Sequence, residues 1–303
     1  MRVAAIDVGT NSTRLLVAEE TSGGFRALER RVRITRLGQD VNRRRRLDPE
    51  ALRRTLAAIA DYAATCGEYG VERLRVTGTS AVRDARNRDE LFKGVRYLTG
   101  SDAEMLSGDE EGRATFLGAV SDVGEPGPYL VVDIGGGSTE FIFGKEEPER
   151  LVSLDVGCVR MLEKHLGSDP PTSGELTALR EDVDAHLREA KARLEVPPGT
   201  TLIGVAGTVT QLAALKAGTA AYDPEVTHHL VMTHSDVRNL ARRLASLPYE
   251  KRKRIRALEE GRADVIVAGV EILLAVMEAF DAAEVTTSEK DILDGLVLEL
   301  LER

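Results

Sequence analysis

Two stretches of this chain lie on one another without a gap. Ala4-Ala5-Ile6-Asp7-Val8-Gly9-Thr10-Asn11-Ser12-Thr13-Arg14-Leu15-Leu16-Val17 matches residues 130–143, pairing Asp7 with Asp133, Gly9 with Gly135, Ser12 with Ser138 and Thr13 with Thr139. In each, an apolar run leads into a short turn rich in glycine and hydroxyl residues and out into a second apolar run. That pattern reads as two β-strands joined by a phosphate-sized loop. A hairpin that recurs more than about a hundred residues later implies two similar domains, each opening with its own loop and facing the other across a cleft.

The turn of the second copy, Gly135-Gly136-Gly137-Ser138-Thr139, suits an anion. Only glycine takes φ > 0 freely, and such a turn points successive N–H groups into one concavity that neutralises phosphate oxygens. Ser138 and Thr139 add hydroxyl donors. Asp133 and Glu140 flank the turn with carboxylates that would repel a phosphate unless a hard divalent cation sat between them, so the pair implies magnesium. The bland alternative is a glycine-rich hairpin at a sheet edge with solvated acids, and the second copy weakens it. Where the later copy has Glu140, the earlier one has Arg14.

Composition sets the outer limits. A chain of 303 residues can build two medium domains with real cores, and 42% hydrophobic with 30% charged residues is ordinary for a globular protein. No apolar run approaches the roughly 18 residues needed to span a bilayer. Met1-Arg2 leads directly into the first strand with no secretory signal pattern, which reads as cytoplasmic. Cys66 and Cys158 lack metal-ligand spacing and read as buried small hydrophobes. The net charge of −9 argues against a nucleic-acid binder, but local clusters can still hold a polyanionic substrate. The densest is Arg43-Arg44-Arg45-Arg46, either a solvated loop or a landing strip for a long polyphosphate tail.

Along the chain, Asp48 caps a helix with Pro49 at its first position and Leu52, Leu56, Ile59 and Ala63 at helical spacing. Residues 71–76 read as a buried strand that runs into small residues and a helix start, another place for an anion. Arg83 and Asn87, four apart, fall on one face of that helix. Ser107 or Asp109 caps the next helix, which runs toward Val120. Glu110 and Glu111 in its first turn either favour the helix dipole or supply a general base for phosphoanhydride hydrolysis. Further on come a strand at 151–156, an exterior helix at 175–194, a strand, turn and helix at 202–210, a core helix at 265–280, a short strand at 285–288 and a terminal helix at 292–301. His228, His229 and His234 have no carboxylate or cysteine completing a metal-ligand spacing, and read as loop residues.

Four ordered motifs then resemble one family. Asp7-Val8-Gly9-Thr10-Asn11-Ser12, Thr79-Ser80-Ala81-Val82-Arg83-Asp84-Ala85-Arg86-Asn87, Leu106-Ser107-Gly108-Asp109-Glu110-Glu111-Gly112-Arg113 and residues 133–140 are together similar to the exopolyphosphatase and guanosine pentaphosphate phosphohydrolase (Ppx/GppA) family, in its short two-domain form. The resemblance implies an α/β, actin-like (ASKHA) fold of two ribonuclease-H-like domains around a central cleft. Domain I is expected over 1–122, with a C-terminal helix at 289–303 packing back on it, and domain II over 123–288. Glu111 matches the catalytic base and Arg83 the arginine that grips substrate phosphate. Asp133 and Glu140 match the magnesium-side acids. The phosphate loops comprise Asp7, Gly9, Asn11 and Ser12 in one copy and Gly135, Gly136, Gly137, Ser138 and Thr139 in the other. Arg14, Asn87, Gly157 and Arg160 are placed near the cleft without a named role. Ala206 stands where many relatives carry Gly, and Leu293 where many carry Arg.

The implied activity is hydrolysis of the terminal phosphate of inorganic polyphosphate, preferentially of short chains, by water that Glu111 activates. The implied cofactor is Mg2+, with Mn2+ as an alternative divalent ion and a monovalent cation as a further candidate. Removal of the 5′ γ-phosphate from guanosine pentaphosphate is the alternative, since both substrates present a terminal phosphoanhydride to the same loops. An actin-like kinase, which would need an adenosine pocket near Gly207, and a sensor that binds nucleotide or polyphosphate are further readings. ADP, ATP or (p)ppGpp are candidate ligands, and a homodimer is expected from the resemblance; no nucleic acid or membrane partner is.

Overall fold

The first apolar run forms β1 (Arg2–Val8), which turns through Gly9 into β2 (Ser12–Thr21) and then β3 (Gly24–Ile34). The sheet is completed by β4 (Arg73–Gly78) and β5 (Ala103–Met105), in the order β3-β2-β1-β4-β5. The first two pairings are antiparallel, and β4 and β5 join β1 in parallel. The computed structural model describes residues 1–124, 126–259 and 261–302. It divides into two units: Met1–Ser121 with the segment from Lys290, and Asp122–Glu289.

Both faces of β1 are covered, so its residues are apolar on both sides rather than alternating with polar ones. Ala4, Ile6 and Val8 pack with Leu52, Ile59 and Tyr62 of the helix Pro49–Glu68. Val3 and Ala5 pack the other way, with Ala114 of the helix Gly108–Val120 and Ile292, Leu293 and Leu296 of the helix Ile292–Glu302. Asp7 has the parity of Val3 and Ala5, and so belongs to this second face. The two helices there touch backbone to backbone, because a Cβ at Gly118 would collide with Asp291 and one at Gly295 with Ala114.

The second unit repeats the plan. Strands β6 (Tyr129–Ile134), β7 (Thr139–Gly144), β8 (Pro148–Leu154), β9 (Thr201–Val205), β10 (Val231–Thr233) and β11 (Glu284–Thr287) lie in the order β10-β11-β9-β6-β7-β8. Apart from β10 at the edge, this is the order of the first sheet with the same pattern of parallel and antiparallel neighbours. Each unit is thus ribonuclease-H-like, and the chain has the duplicated α/β architecture of actin-like proteins. The helices Ser173–Leu194 and Ile266–Ala279 cover the second sheet, with Leu130, Val132 and Phe141 in the core beneath them. Strand β4 begins two residues later than the sequence suggests, at Arg73 rather than Val71.

Candidate active site

The turn of the first unit is closed by Gly9 N–H donating to Ser12 O at 2.9 Å, and that of the second by Gly135 N–H donating to Ser138 O at 3.0 Å. A Cβ at Gly9 would stand 3.0 Å from Ser12 O, and one at Gly135 3.1 Å from Ser138 O. The sequence match is therefore a match of conformation. Close approach, not φ > 0, requires glycine here: the positive-φ glycines among the described residues are at 24, 70, 100, 199, 218 and 261. The expectation of left-handed glycines at 135–137 is corrected accordingly.

Each loop is held from behind through its carbonyls. In the first, Asn11 O accepts from Thr35 and Arg36 N–H at 3.0 and 2.9 Å, and Thr10 O from Gly38 N–H at 2.8 Å. In the second, Gly135 O accepts from Cys158 N–H at 2.9 Å and Gly136 O from Val159 and Arg160 N–H at 2.9 and 3.1 Å, all at the start of the helix Cys158–His165. Arg160 Nε donates to Gly137 O at 2.7 Å. A Cβ on Gly157 would press into the Gly136 carbonyl, so that helix reaches the loop only with glycine at its N-cap. Among the described residues no backbone carbonyl takes the N–H of Gly136, Gly137 or Ser138, an arrangement suited to an anion.

Glu111 and Arg83 meet. Ser107 caps the helix Gly108–Val120 in a capping box with Glu110, which divides the two acids: Glu110 closes the helix end, and Glu111 is turned inward and is only 8% exposed. Arg83 Nη1 donates to Glu111 Oε2 at 2.6 Å and to Leu106 O at 2.9 Å. Burial pushes the Glu111 carboxyl up to about 7, against the pull of Arg83, with the nearby Asp7 charge adding to the rise. A carboxylate titrating near neutrality is suited to general-base work.

Asp7 lies opposite Arg14 in the β1–β2 register, on the helix-covered face. Arg14 donates to Asp7 Oδ2 through Nε at 3.1 Å and Nη2 at 2.7 Å, and also to Asp291. Arg30 continues the chain of charges to Asp294, at 2.7 Å. Burial raises the Asp7 carboxyl above its ordinary value, against Arg14. Asp7 Oδ1 is buried with no hydrogen-bond partner, as is Asn11 Nδ2 at the other end of the same turn. One is an acceptor suited to a cation, the other a donor suited to an anion. At the equivalent register of the second unit Asp133 faces Glu140, whose Oε1 accepts from Ser153 Oγ at 2.8 Å. Like charges directly opposite on adjacent strands repel, and a divalent cation relieves that repulsion.

Other expected residues are placed differently. Thr139 is not a donor to a ligand: its hydroxyl is buried and donates to Val156 O, while at the matching position Thr13 pairs with Thr35 at 2.9 Å. Arg83 and Asn87 do not share a helix. Arg83 is in the short helix Ser80–Asp84, Ala85 is extended, and Asn87 precedes the helix Arg88–Thr99. Asn87 instead binds the backbone of Leu47, accepting from N–H at 2.8 Å and donating to O at 3.3 Å. Ala206 takes φ of 64°, the left-handed conformation that glycine would hold without strain. Beside it the Arg262 guanidinium occupies the place of a Gly207 side chain and is held by Glu259 at 2.7 Å.

Asp122 does reach the histidine pair, with His228 Nε2 at 2.9 Å and His229 Nε2 at 3.4 Å. His228 Nδ1 accepts from Glu289 N–H at 3.1 Å, so in the neutral ring the proton sits on Nε2 and no lone pair is left there for a metal. Sequence reasoning missed Asp291, Asp294 and Ser153. Asp291 and Asp294 lie 277 and 264 residues from their arginine partners, and Ser153, 13 residues from Glu140, carries no local motif.

A family model described as the Ppx/GppA phosphatase family matches residues 16–303. Exopolyphosphatase 2 of Mycobacterium tuberculosis is 40% identical over 99% of this chain and 98% of its own length. A crystal structure of the Aquifex aeolicus Ppx/GppA family member is 34% identical with a TM-score of 0.85, covering 100% of this chain and 98% of that one. The guanosine-5′-triphosphate,3′-diphosphate pyrophosphatase of Photobacterium profundum is 30% identical over 99% of this chain and 59% of its own length.

Proposed function

The chain belongs to the Ppx/GppA phosphatase family, and from that premise we propose that it is an exopolyphosphatase, a phosphoanhydride hydrolase that releases the terminal phosphate of inorganic polyphosphate. The observation that carries this reading is Glu111, a buried carboxyl raised to about 7 and fixed by Arg83, on the unit that also holds the orphaned donor of Asn11. Glu111 takes a proton from water as its oxygen attacks the terminal phosphorus in line; the bond to the bridging oxygen breaks, and the shortened polymer leaves. Arg83 orients the carboxylate and grips the terminal phosphate. Asn11 Nδ2, Ser12 and the Gly9 turn are assigned phosphate oxygens in the first unit, and Gly135, Gly136, Gly137 and Ser138 the same role in the second.

In the second unit the Asp133–Glu140 pair fits a hard divalent cation, since two carboxylates face each other across the strand register, and in the first unit Asp7 Oδ1 is a buried carboxylate oxygen without a partner. Magnesium held at the Asp133–Glu140 pair would offset the negative charge of the polyphosphate, and manganese is the alternative ion. Short chains are the preferred substrate in this reading, the assembly is a homodimer and the location cytoplasmic. No described helix is long and apolar enough to cross a membrane. The guanosine pentaphosphate reading is kept by the Photobacterium relative, whose name states that chemistry.

The test is phosphate release from short polyphosphate, long polyphosphate, guanosine pentaphosphate and ATP in parallel, with magnesium and with chelator. Magnesium-dependent release from short polyphosphate above the others is expected. Release chiefly from guanosine pentaphosphate would replace the substrate, and acceptor-dependent consumption of ATP would replace the reaction.

A further inference from the structure

The arginine run 43–46 is built into the frame of the first unit's site. It lies in a segment, residues 36–48, with five arginines against two aspartates, in a chain of net charge −9. At one end, the N–H groups of Arg36 and Gly38 donate to the carbonyls of Asn11 and Thr10, behind the phosphate loop. At the other, Arg45 O accepts from Arg86 N–H at 2.9 Å, Arg45 Nη1 donates to Asp84 at 3.0 Å, and Leu47 is bound on both backbone groups by Asn87. Asp84 directly follows Arg83. The run is therefore stitched to the loop and to the corner that carries Arg83.

Its shape is imposed. The short helix Val41–Arg44 is bracketed by Asp40 at φ 59° and Arg45 at φ 52°, two left-handed residues that are not glycine. Strained backbone held in place by its surroundings is found where a side chain must be aimed. The side chains of Arg43, Arg44 and Arg46 are 74%, 53% and 65% exposed. Their acidic neighbours are Asp40 at 3.2 and 3.6 Å, Asp48 at 3.8 Å and Glu90 at 3.8 Å. Exposed ion pairs of that length hold a guanidinium weakly, so a phosphate can take it over.

We propose that Arg43, Arg44 and Arg46 form a second anion site, which takes the phosphates of the polymer that lie beyond the one being released. The inference rests on the exopolyphosphatase reading. A linear polyanion with more phosphates than the first unit's loop and Arg83 can hold binds this strip with its tail, and tripolyphosphate, which is used up there, does not. Among short chains KM accordingly falls with length until the strip is filled, phosphates beyond it gain nothing further, and kcat is set at Glu111.

The test is the triple variant R43Q/R44Q/R46Q, with Arg45 kept because it bonds Asp84. Beside it stand R43K/R44K/R46K, which keeps the charge, and R53Q/R96Q, which removes two arginines of similar exposure outside the strip, 72% and 68% exposed. KM for polyphosphate of about 25 phosphates is expected to rise about tenfold in the glutamine triple and to change less than about twofold for tripolyphosphate, with kcat unchanged on both. The lysine triple should retain most of the long-chain affinity, and the salt dependence of KM should flatten only in the glutamine triple. Equal rises for both substrates, or an equal rise in R53Q/R96Q, would overturn the proposal. Fluorescence anisotropy of end-labelled polyphosphate separates this from the parent reading. If the wild-type chain releases no phosphate from polyphosphate, the exopolyphosphatase reading fails, whereas tail binding that is equal in wild type and glutamine triple sinks the strip alone.

Discussion

Replacing Glu111 by glutamine keeps the shape of the side chain and removes its ability to take a proton. The carboxyl is buried and raised from 4.5 to about 7, although Arg83 Nη1 lies 2.6 Å away. At about 1.4 kcal/mol per pH unit, the charged form is roughly 3 kcal/mol less favourable in the fold than in water. The native state therefore keeps this proton at pH values where the unfolded chain has already lost it. The resulting stability is fully present below pH 4.5 and is lost as pH rises through about 7. Between pH 5.5 and 8 the wild-type chain should lose about 2 kcal/mol from this group, and Glu111→Gln should lose none of it. Urea denaturation at the two pH values, compared between wild type and variant, reads that difference. For turnover, kcat on tripolyphosphate should fall by about 10²- to 10⁴-fold with KM within about twofold, and the rise in wild-type rate through about pH 7 should vanish from what activity is left. A variant that turns over at near wild-type rate, or that keeps the same pH limb, would refute the assignment of Glu111 as base. Equal pH dependence of stability in both chains would refute the buried, raised carboxyl.

Two further substitutions probe the support of the site. Asp291→Asn withdraws the buried partner of Arg14, which in turn holds Asp7; breaking a buried pair costs about 3 kcal/mol, so urea denaturation should show that loss together with a lowered kcat, and an unchanged kcat would remove Asp291 from the site. Gly157→Ala places a Cβ against the carbonyl side of the second loop, 2.5 Å from the carbonyl carbon of Gly137. It should lower stability by about 1–3 kcal/mol and weaken competition by inorganic phosphate about tenfold, and a variant with native phosphate affinity would show that the loop tolerates the displacement.

What the sequence revealed was what is local. The two hairpins, the capping aspartate at 48 and a helix cap at Ser107 or Asp109 are short-range patterns, and the structure has them where the residues indicate, with Ser107 as the cap. The strand β3 was not legible, because Arg26, Glu29, Arg30, Arg31 and Arg33 leave no apolar alternation on an edge strand whose residues are half-buried or exposed. Asn87 was misplaced because nothing in residues 80–87 signals that Ala85 turns extended; bonds to residues about 40 positions earlier, from Asn87 to Leu47 and from Arg86 to Arg45, hold that corner. The left-handed glycines were inferred from the freedom of glycine, when the loop needs its lack of a side chain. Asp291 was hidden for a different reason. Its partner Arg14 is 277 residues distant, and no spacing rule links two charges brought together by β-strand register on one side and a helix start on the other.

The position of that aspartate has a consequence for biosynthesis. The helix Ile292–Glu302 belongs to the first unit but is translated after the whole of the second. A nascent chain that has emerged as far as residue 121 has Arg14 and Arg30 without Asp291 and Asp294, and the Gly118 side of its helix has nothing to lie against. The second unit, by contrast, is one continuous segment and can close as soon as it leaves the ribosome. The earlier-made half is thus the later to mature. A ribosome that stalls between residues 121 and 291 releases a product with Glu111 and the first loop already in its sequence but without the aspartates that pair with Arg14 and Arg30, so the first unit is completed only with the final helix.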